Sequence, residues 1–338
     1  SYEKAVTCTD RMDYLAPMSN NAVYCMAVEK LVGLDVPERA QVMRVLCLEL
    51  TRIQSHLVWL GTHAIDLGAM SVFLYCFRER EKILDMFEML SGQRMMGSYM
   101  RPGGVWRDFP DEFVPTLEAF LDDFPRRIDD YEKLLTTNPL WLDRTQGIGV
   151  IEPDVALAWG VSGASLRGSG VNWDIRKAMP YSGYEHYDFN VPLGEHGDVY
   201  DRYLCRIREM RESHRIIRQA LKKLPSASGG FRSDNRKFVP PPRAELGRSM
   251  EAVIHHFKLW TEGFNAPDQE VYAAIESPRG EIGCYLHGTG GNKPRRIHFK
   301  TPSFMHIQAI PQMSQNHMIA DLVAIIGSVD IVLGDCDR

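Results

Sequence analysis

Between Tyr203 and Leu224, seven residues step along the chain by four, three, four, three, four and three: Tyr203, Ile207, Met210, His214, Ile217, Leu221 and Leu224. A strand cannot present that stripe on one face, because its side chains alternate with a period of two. Arg202, Arg206, Arg208, Arg211, Glu212, Arg215 and Arg218 fill the other faces. The spacing therefore predicts a long amphipathic helix that packs on other helices and ends at Pro225.

The chain from Ser1 to Leu135 reads the same way. Helices are predicted over 20–33, 38–60, 71–90 and 112–135, with Gly33 and Gly92 as stops and Pro37 and Pro115 near helix starts. The second of these is apolar nearly all round, which belongs in a core. Residues 226–243 are rich in Ser, Gly, Arg and Pro and read as a surface loop, followed by a helix over 248–261. Beyond 264 the character changes. Short strands are predicted over 270–275, 282–286 and 295–299, with a turn at 288–292, and a helix over 317–326 closes the chain. The expected class is mainly α with a small β part (α+β). A helical bundle domain over 1–263, with a loop at 225–243, carries a small β region and C-terminal helix over 264–338.

Composition narrows the function. Apolar residues at 44% and charged residues at 25% exclude a disordered or fibrous chain, and a net charge of −5 gives no reason to expect nucleic-acid binding. The most apolar stretch, 54–77, is broken by Asp66 and carries His56 and His63, so no bilayer span is expected. Seven scattered cysteines read as reduced thiols, and the absence of CxxC argues against a zinc or iron–sulfur site within this chain. The start at Ser1 resembles neither a signal peptide nor an initiator Met, so the chain reads as processed or cut from something longer.

The remaining motifs have bland readings. Gly168-Ser169-Gly170 reads as a tight turn and Gly288-Thr289-Gly290-Gly291 as a hairpin tip. His255 and His256, pointing about 100° apart on a helix, read as one packed and one exposed. Asp10-Arg11, Asp143-Arg144, Asp201-Arg202 and Asp337-Arg338 read as ion pairs at element ends, and Glu276-Ser277-Pro278-Arg279-Gly280-Glu281 as a turn with a paired arginine. Asp66, between Ile65 and Leu67, is expected to be paired, hydrogen-bonded or protonated, as a site residue or as a helix-end cap. Residue chemistry alone gives a helical protein with several buried charges and no self-contained catalytic constellation.

Longer strings carry a resemblance. They include Asp10-Arg11-Met12-Asp13-Tyr14, Leu48-Glu49-Leu50-Thr51-Arg52, Asp66-Leu67-Gly68-Ala69, Phe77-Arg78-Glu79-Arg80-Glu81 and Tyr99-Met100-Arg101-Pro102-Gly103-Gly104-Val105. Leu166-Arg167-Gly168-Ser169-Gly170, Gly197-Asp198-Val199-Tyr200-Asp201-Arg202, the 276–281 string and Gly334-Asp335-Cys336-Asp337-Arg338 continue it. Together, over essentially the whole chain, they resemble the 49 kDa, quinone-site subunit of respiratory complex I, the proton-pumping NADH:quinone oxidoreductase. Residues 317–326 are close to its mitochondrial and alphaproteobacterial branch.

That family shares its fold with nickel–iron hydrogenase large subunits, whose metals are held by Arg-x-Cys-x-x-Cys near the start and Asp-Pro-Cys-x-x-Cys at the end. Matching Arg11 places the first cysteine pair on Asp13 and Ala16, and matching Asp330 places the second on Val332 and Asp335. Soft thiolates hold nickel, so no metal and no hydrogen activation are expected here. The resemblance implies a cavity that receives a quinone headgroup instead. It implies that Tyr14 donates a hydrogen bond, and then a proton, to a quinone carbonyl. Arg11 would lie near a partner's 4Fe-4S cluster, its fixed charge favouring the reduced form. Asp66 would be an acid near the site, linked to a quinone-facing histidine.

The resemblance also implies partners. They are an iron–sulfur cluster subunit of the twenty-kilodalton type, a thirty-kilodalton subunit, a ferredoxin-like subunit of the twenty-three-kilodalton type and a membrane subunit at the quinone entrance. The implied location is peripheral, on the matrix side of the mitochondrial inner membrane or the cytoplasmic face of a bacterial membrane. Two departures stand out. The family's N-terminal hairpin with its histidine is missing, or sits on a separate fragment, and Met96 occupies a place where the family often has histidine. The alternatives are a scaffold subunit without quinone chemistry and a hydrogenase-like enzyme.

Overall fold

The computed structural model describes residues 1–337. Its first half runs α1 (Tyr2–Thr9), α2 (Pro17–Val32), α3 (Glu38–Asp66), α4 (Met70–Ser91), the ribbon β1 (Met100–Arg101) and β2 (Gly104–Val105), and α5 (Phe113–Leu135). Short helices follow: α6 (Pro139–Thr145), α7 (Pro153–Ala158), α8 (Gly163–Gly168) and α9 (Ile175–Ala178). Then come the long α10 (Val199–Lys223), α11 (Arg243–Leu246) and α12 (Met250–Thr261). The chain finishes with β3 (Glu270–Glu276), β4 (Glu281–His287), β5 (Arg296–Lys300), α13 (Pro302–Met313), α14 (Ile319–Val329) and α15 (Leu333–Asp337).

The axis of the bundle is α3, about 43 Å long at 1.5 Å per residue. It is buried over most of its surface and packs against α2, α4, α10 and α14. Its one glycine, Gly61, lets α4 come close: a Cβ there would lie 3.3 Å from the Phe73 Cα. Buried Arg44 pairs with Glu29 of α2 and donates to the Gly104 and Arg101 carbonyls, while Glu29 accepts from the Gly103 amide at 2.8 Å. One ion pair thus pins two helices to the β1–β2 turn.

The predicted stripe of α10 contains a histidine for a structural reason. Pro125, inside α5, has no N–H for the Leu121 carbonyl four residues back. His214 Nε2 donates to that carbonyl at 3.0 Å, so one helix repairs the hydrogen-bond gap of its neighbour. Arg202 and Arg206 are not on a solvated face; both are fully buried.

The sheet is an antiparallel meander in the order β3-β4-β5, with Val271 opposite Leu286 and Cys284 opposite Phe299. Ala273, Ile275, Ile282, Cys284 and Leu286 are buried, and β3 and β4 pack on α2. The predicted helices and strands all form. The long ones shift by a few residues, and α3 extends six residues past the predicted end. Cys25, Cys47, Cys76, Cys205 and Cys284 are buried free thiols. His255 and His256 are both half-buried, not one packed and one exposed.

Candidate functional site

The loop between α1 and α2 is shaped by Asp13. Its Oδ1 accepts from the amides of Leu15 and Ala16 at 3.1 and 3.2 Å, a local turn that an aspartate favours. The turn leaves Tyr14 at 37% exposure between buried neighbours Asp13 and Ala16. The other carboxylate oxygen of Asp13 accepts from Arg279 Nη1 at 2.6 Å.

Arg279 sits at the β3–β4 turn and is fully buried. The same Nη1 reaches Ser55 of α3 at 3.1 Å, and Nη2 reaches Asp330 at 3.3 Å. Asp330 ends α14 in the left-handed conformation, φ 53 and ψ 56. Asp335, on α15, accepts from the Ser303 amide at 3.0 Å. One guanidinium therefore bridges the α1–α2 loop and the turn that ends α14.

Three buried carboxylates surround this arginine, which binds two of them directly. Burial pushes the Asp335 carboxyl up to about 6, and the negative charge of Asp13 adds to the rise. Burial also raises Asp330, against the pull of Arg279. Asp13, Ala16, Val332 and Asp335, the positions aligned with hydrogenase thiolates, are all buried. Among the described residues, no group of three or more His, Cys, Asp or Glu is arranged to hold a metal ion.

Next to this junction runs a second buried network, between α3 and α10. Glu49, Arg52 and His56 follow one another on one face of α3 at steps of three and four. His56 Nε2 lies 2.8 Å from Glu209, and Ser213 donates to Glu49 at 2.6 Å. Arg167 binds Glu209 at 2.5 Å and Glu276 at 2.7 Å, while Arg176 binds Asp174 at 2.7 Å and Glu49 at 3.1 Å. Burial draws His56 down to about 4, so a neutral ring donates its Nε2–H. Burial works to raise Glu209, but Arg167 and His56 hold it well below the usual carboxylate range. Arg206 lies over the Trp59 ring, 4.4 Å from its centroid, and donates to the Ser328 carbonyl at 2.7 Å. The network locks α3, α8, α9, α10 and β3 into one framework behind the Tyr14 loop.

Of the residues singled out from sequence, Arg11 is exposed, its Nη1 donating to the Thr7 carbonyl. Asp66 departs from expectation. It is exposed at the end of α3, without the buried partner its apolar neighbours suggested. Those neighbours are themselves surface: Ile65, Met70 and Leu74 are exposed and Leu67 is half-buried. Nor does Asp66 meet Tyr14 directly. It lies eleven residues along α3 from Ser55, about 16 Å of helix.

The neighbouring Asp-Arg pairs do not pair with each other either. Asp10 accepts from Ser98, Arg144 donates to the Ala320 carbonyl, Asp201 accepts from the Glu195 and His196 amides, and Arg202 donates to Ser328. The fourth pair includes Arg338, outside the described residues. The 276–281 turn does carry a paired arginine, but its partners, Asp13 and Asp330, were invisible to local reading. The one available signal was an arginine between Pro278 and Gly280 joining two apolar strands, where no solvent is close.

Comparison with known proteins agrees with this architecture. A family model described as respiratory-chain NADH dehydrogenase, 49 Kd subunit, matches residues 66–338. An NADH-quinone oxidoreductase D subunit of Herpetosiphon aurantiacus is 60% identical over all of this chain and 80% of its own length. The corresponding D subunit of Chloroflexus aurantiacus is 59% identical, again over the whole chain and 82% of the relative. That of Geotalea uraniireducens is 54% identical over the whole chain and 86% of the relative. These relatives are bacterial. The chain belongs to the family of the 49 Kd subunit of respiratory-chain NADH dehydrogenase.

Proposed function

We propose that this chain forms one wall of the quinone-reduction chamber in a proton-pumping NADH:quinone oxidoreductase, presenting Tyr14 to the quinone headgroup. The observation that carries the reading is the exposed Tyr14 phenol on a loop fixed from beneath by the Asp13–Arg279–Asp330 bridge. A donor held by a buried framework needs little reorganisation when negative charge develops on a quinone oxygen. Electrons would come from a 4Fe-4S cluster on the adjacent iron–sulfur subunit. The buried cysteines of this chain are scattered over α2, α3, α4, α10 and β4 and do not supply cluster ligands.

Arg11, exposed and bound among the described residues only to the Thr7 carbonyl, can aim its charge at that neighbour. Asp66, at the exposed end of α3, would take its histidine partner from outside these residues. Around it, exposed Ile65, Met70 and Leu74 make an apolar patch suited to the membrane subunit at the quinone entrance. No helix among the described residues is long and apolar enough to cross a membrane, so we assign the chain a peripheral place. Because the relatives are bacterial, we place it on the cytoplasmic face of a bacterial plasma membrane. The thirty-kilodalton and ferredoxin-like subunits complete the proposed neighbours.

The test is Tyr14→Phe in the assembled complex. NADH oxidation by quinone should fall about 100-fold, the scale of a lost general acid, with oxidation by an acceptor that bypasses the quinone site unchanged. Unchanged quinone turnover and affinity would instead make the chain a scaffold.

A further inference from the structure

We infer that Gly334 is a positioning residue for the Tyr14 phenol, and that the last turn of the chain sets where its hydroxyl points. The inference rests on the proposed role of Tyr14 at the quinone.

Gly334 does not need to be glycine for backbone reasons, since it is not among the glycines with positive φ. It needs to be glycine because of what it touches. A Cβ there would overlap the Met12 carbonyl oxygen and lie 3.0 Å from both Cδ1 and Cε1 of the Tyr14 ring. The backbone of α15 is thus a flat wall against one edge of the phenol.

Both sides of this contact are anchored. The Tyr14 loop is held by the Asp13–Arg279 ion pair at 2.6 Å. The final turn is held by Asp330 on the same Arg279, by Asp335 on the Ser303 amide, and by the Cys336 amide on the Val332 carbonyl at 3.3 Å. Ser303 Oγ also accepts from the Val332 amide at 3.4 Å. An added methyl group would press on the Met12 carbonyl oxygen and, at 3.0 Å, on the ring, and so shift the anchored loop that carries the phenol. The hydroxyl itself bonds to no described residue, so among these residues packing against Gly334 aims it.

The experiment is a double-mutant cycle in the assembled complex, read as kcat and KM for a short-chain quinone. Gly334→Ala should lower kcat/KM about 10-fold, the scale of one well-aimed hydrogen bond, with NADH oxidation by an acceptor that bypasses the quinone site unchanged. In a Tyr14→Phe background the same substitution should have no further effect, because no hydroxyl remains to be misplaced. An equal loss in both backgrounds overturns the inference. If Tyr14→Phe alone changes nothing, the quinone role of Tyr14 falls first and takes this inference with it. If Gly334→Ala damages Tyr14-dependent turnover, both stand.

A measurement on the unmodified complex covers the case in which the variant fails to assemble. Binding of a short-chain quinone should slow amide exchange at 12–16 and 333–336 together. Slowing at 12–16 alone refutes the seat at Gly334.

Discussion

Asp335→Asn should stabilise this protein at neutral pH, although it removes a buried, hydrogen-bonded carboxylate. Asp335 is 1% exposed, and its carboxyl is raised from the ordinary 3.8 to about 6 by burial and then by the Asp13 charge. The folded value lies above the unfolded one, so between pH 3.8 and 6 the folded state holds the extra proton. Stability therefore falls as pH rises through that window, and the full cost is present above it. Two pKa units and a little more, at about 1.4 kcal/mol each, come to about 3 kcal/mol. Asparagine carries no charge, and its carbonyl oxygen can still accept the Ser303 amide. The variant should melt about 5 °C higher than the parent at pH 8, for a domain of this size. The difference should shrink to nothing near pH 4, where both forms are neutral. Scanning fluorimetry of the purified chain at intervals from pH 4 to 8 measures it. A variant less stable at pH 8, or a gain independent of pH, would show that the carboxylate is not held against its solvation.

Arg279→Met should do the opposite, leaving Asp13 and Asp330 without their cation and costing about 3–5 kcal/mol at neutral pH; urea midpoints of variant and parent give the difference. Glu209→Gln leaves Arg167 with Glu276 as its remaining close carboxylate and should destabilise by less than the loss of Arg279. Glu209 is held below its ordinary range when folded, so the loss should appear at neutral pH and fade as acid protonates the parent. His214→Leu should cost about 1–3 kcal/mol by orphaning the Leu121 carbonyl, and that cost should vanish when Pro125→Ala restores an N–H to the same carbonyl. On the proposed placement of Arg11 beside a partner's cluster, Arg11→Met should lower that cluster's reduction potential in a redox titration of the complex; an unchanged potential would place Arg11 elsewhere.

Much of the fold was legible because helix periodicity is local. The stripe from Tyr203 to Leu224 and the all-round apolar run of α3 needed only their own residues to be read. The site was less legible because its chemistry joins distant residues: Arg279 meets Asp13 266 positions away and Asp330 51 away. Family resemblance pointed to Tyr14 but could not reveal its seat at Gly334. Local reading also erred in several places. It joined neighbouring Asp and Arg residues that in fact turn to other elements. It expected Asp66, among apolar neighbours, to be paired, hydrogen-bonded or protonated, whereas those neighbours are a surface patch and Asp66 lies exposed at the end of α3.

The bridge from Asp13 through Arg279 to Asp330 imposes an order on biosynthesis. A ribosome delivers the Tyr14 loop well before the residues that close beneath it, since Arg279 follows Asp13 by 266 positions and Asp330 comes 51 later still. Until then Asp13 has no cation and the loop no floor. A chain that stalls before Arg279 is made would keep its long helices but display ionised groups evolved for a dry interior. Such a product should be an early target for proteolysis.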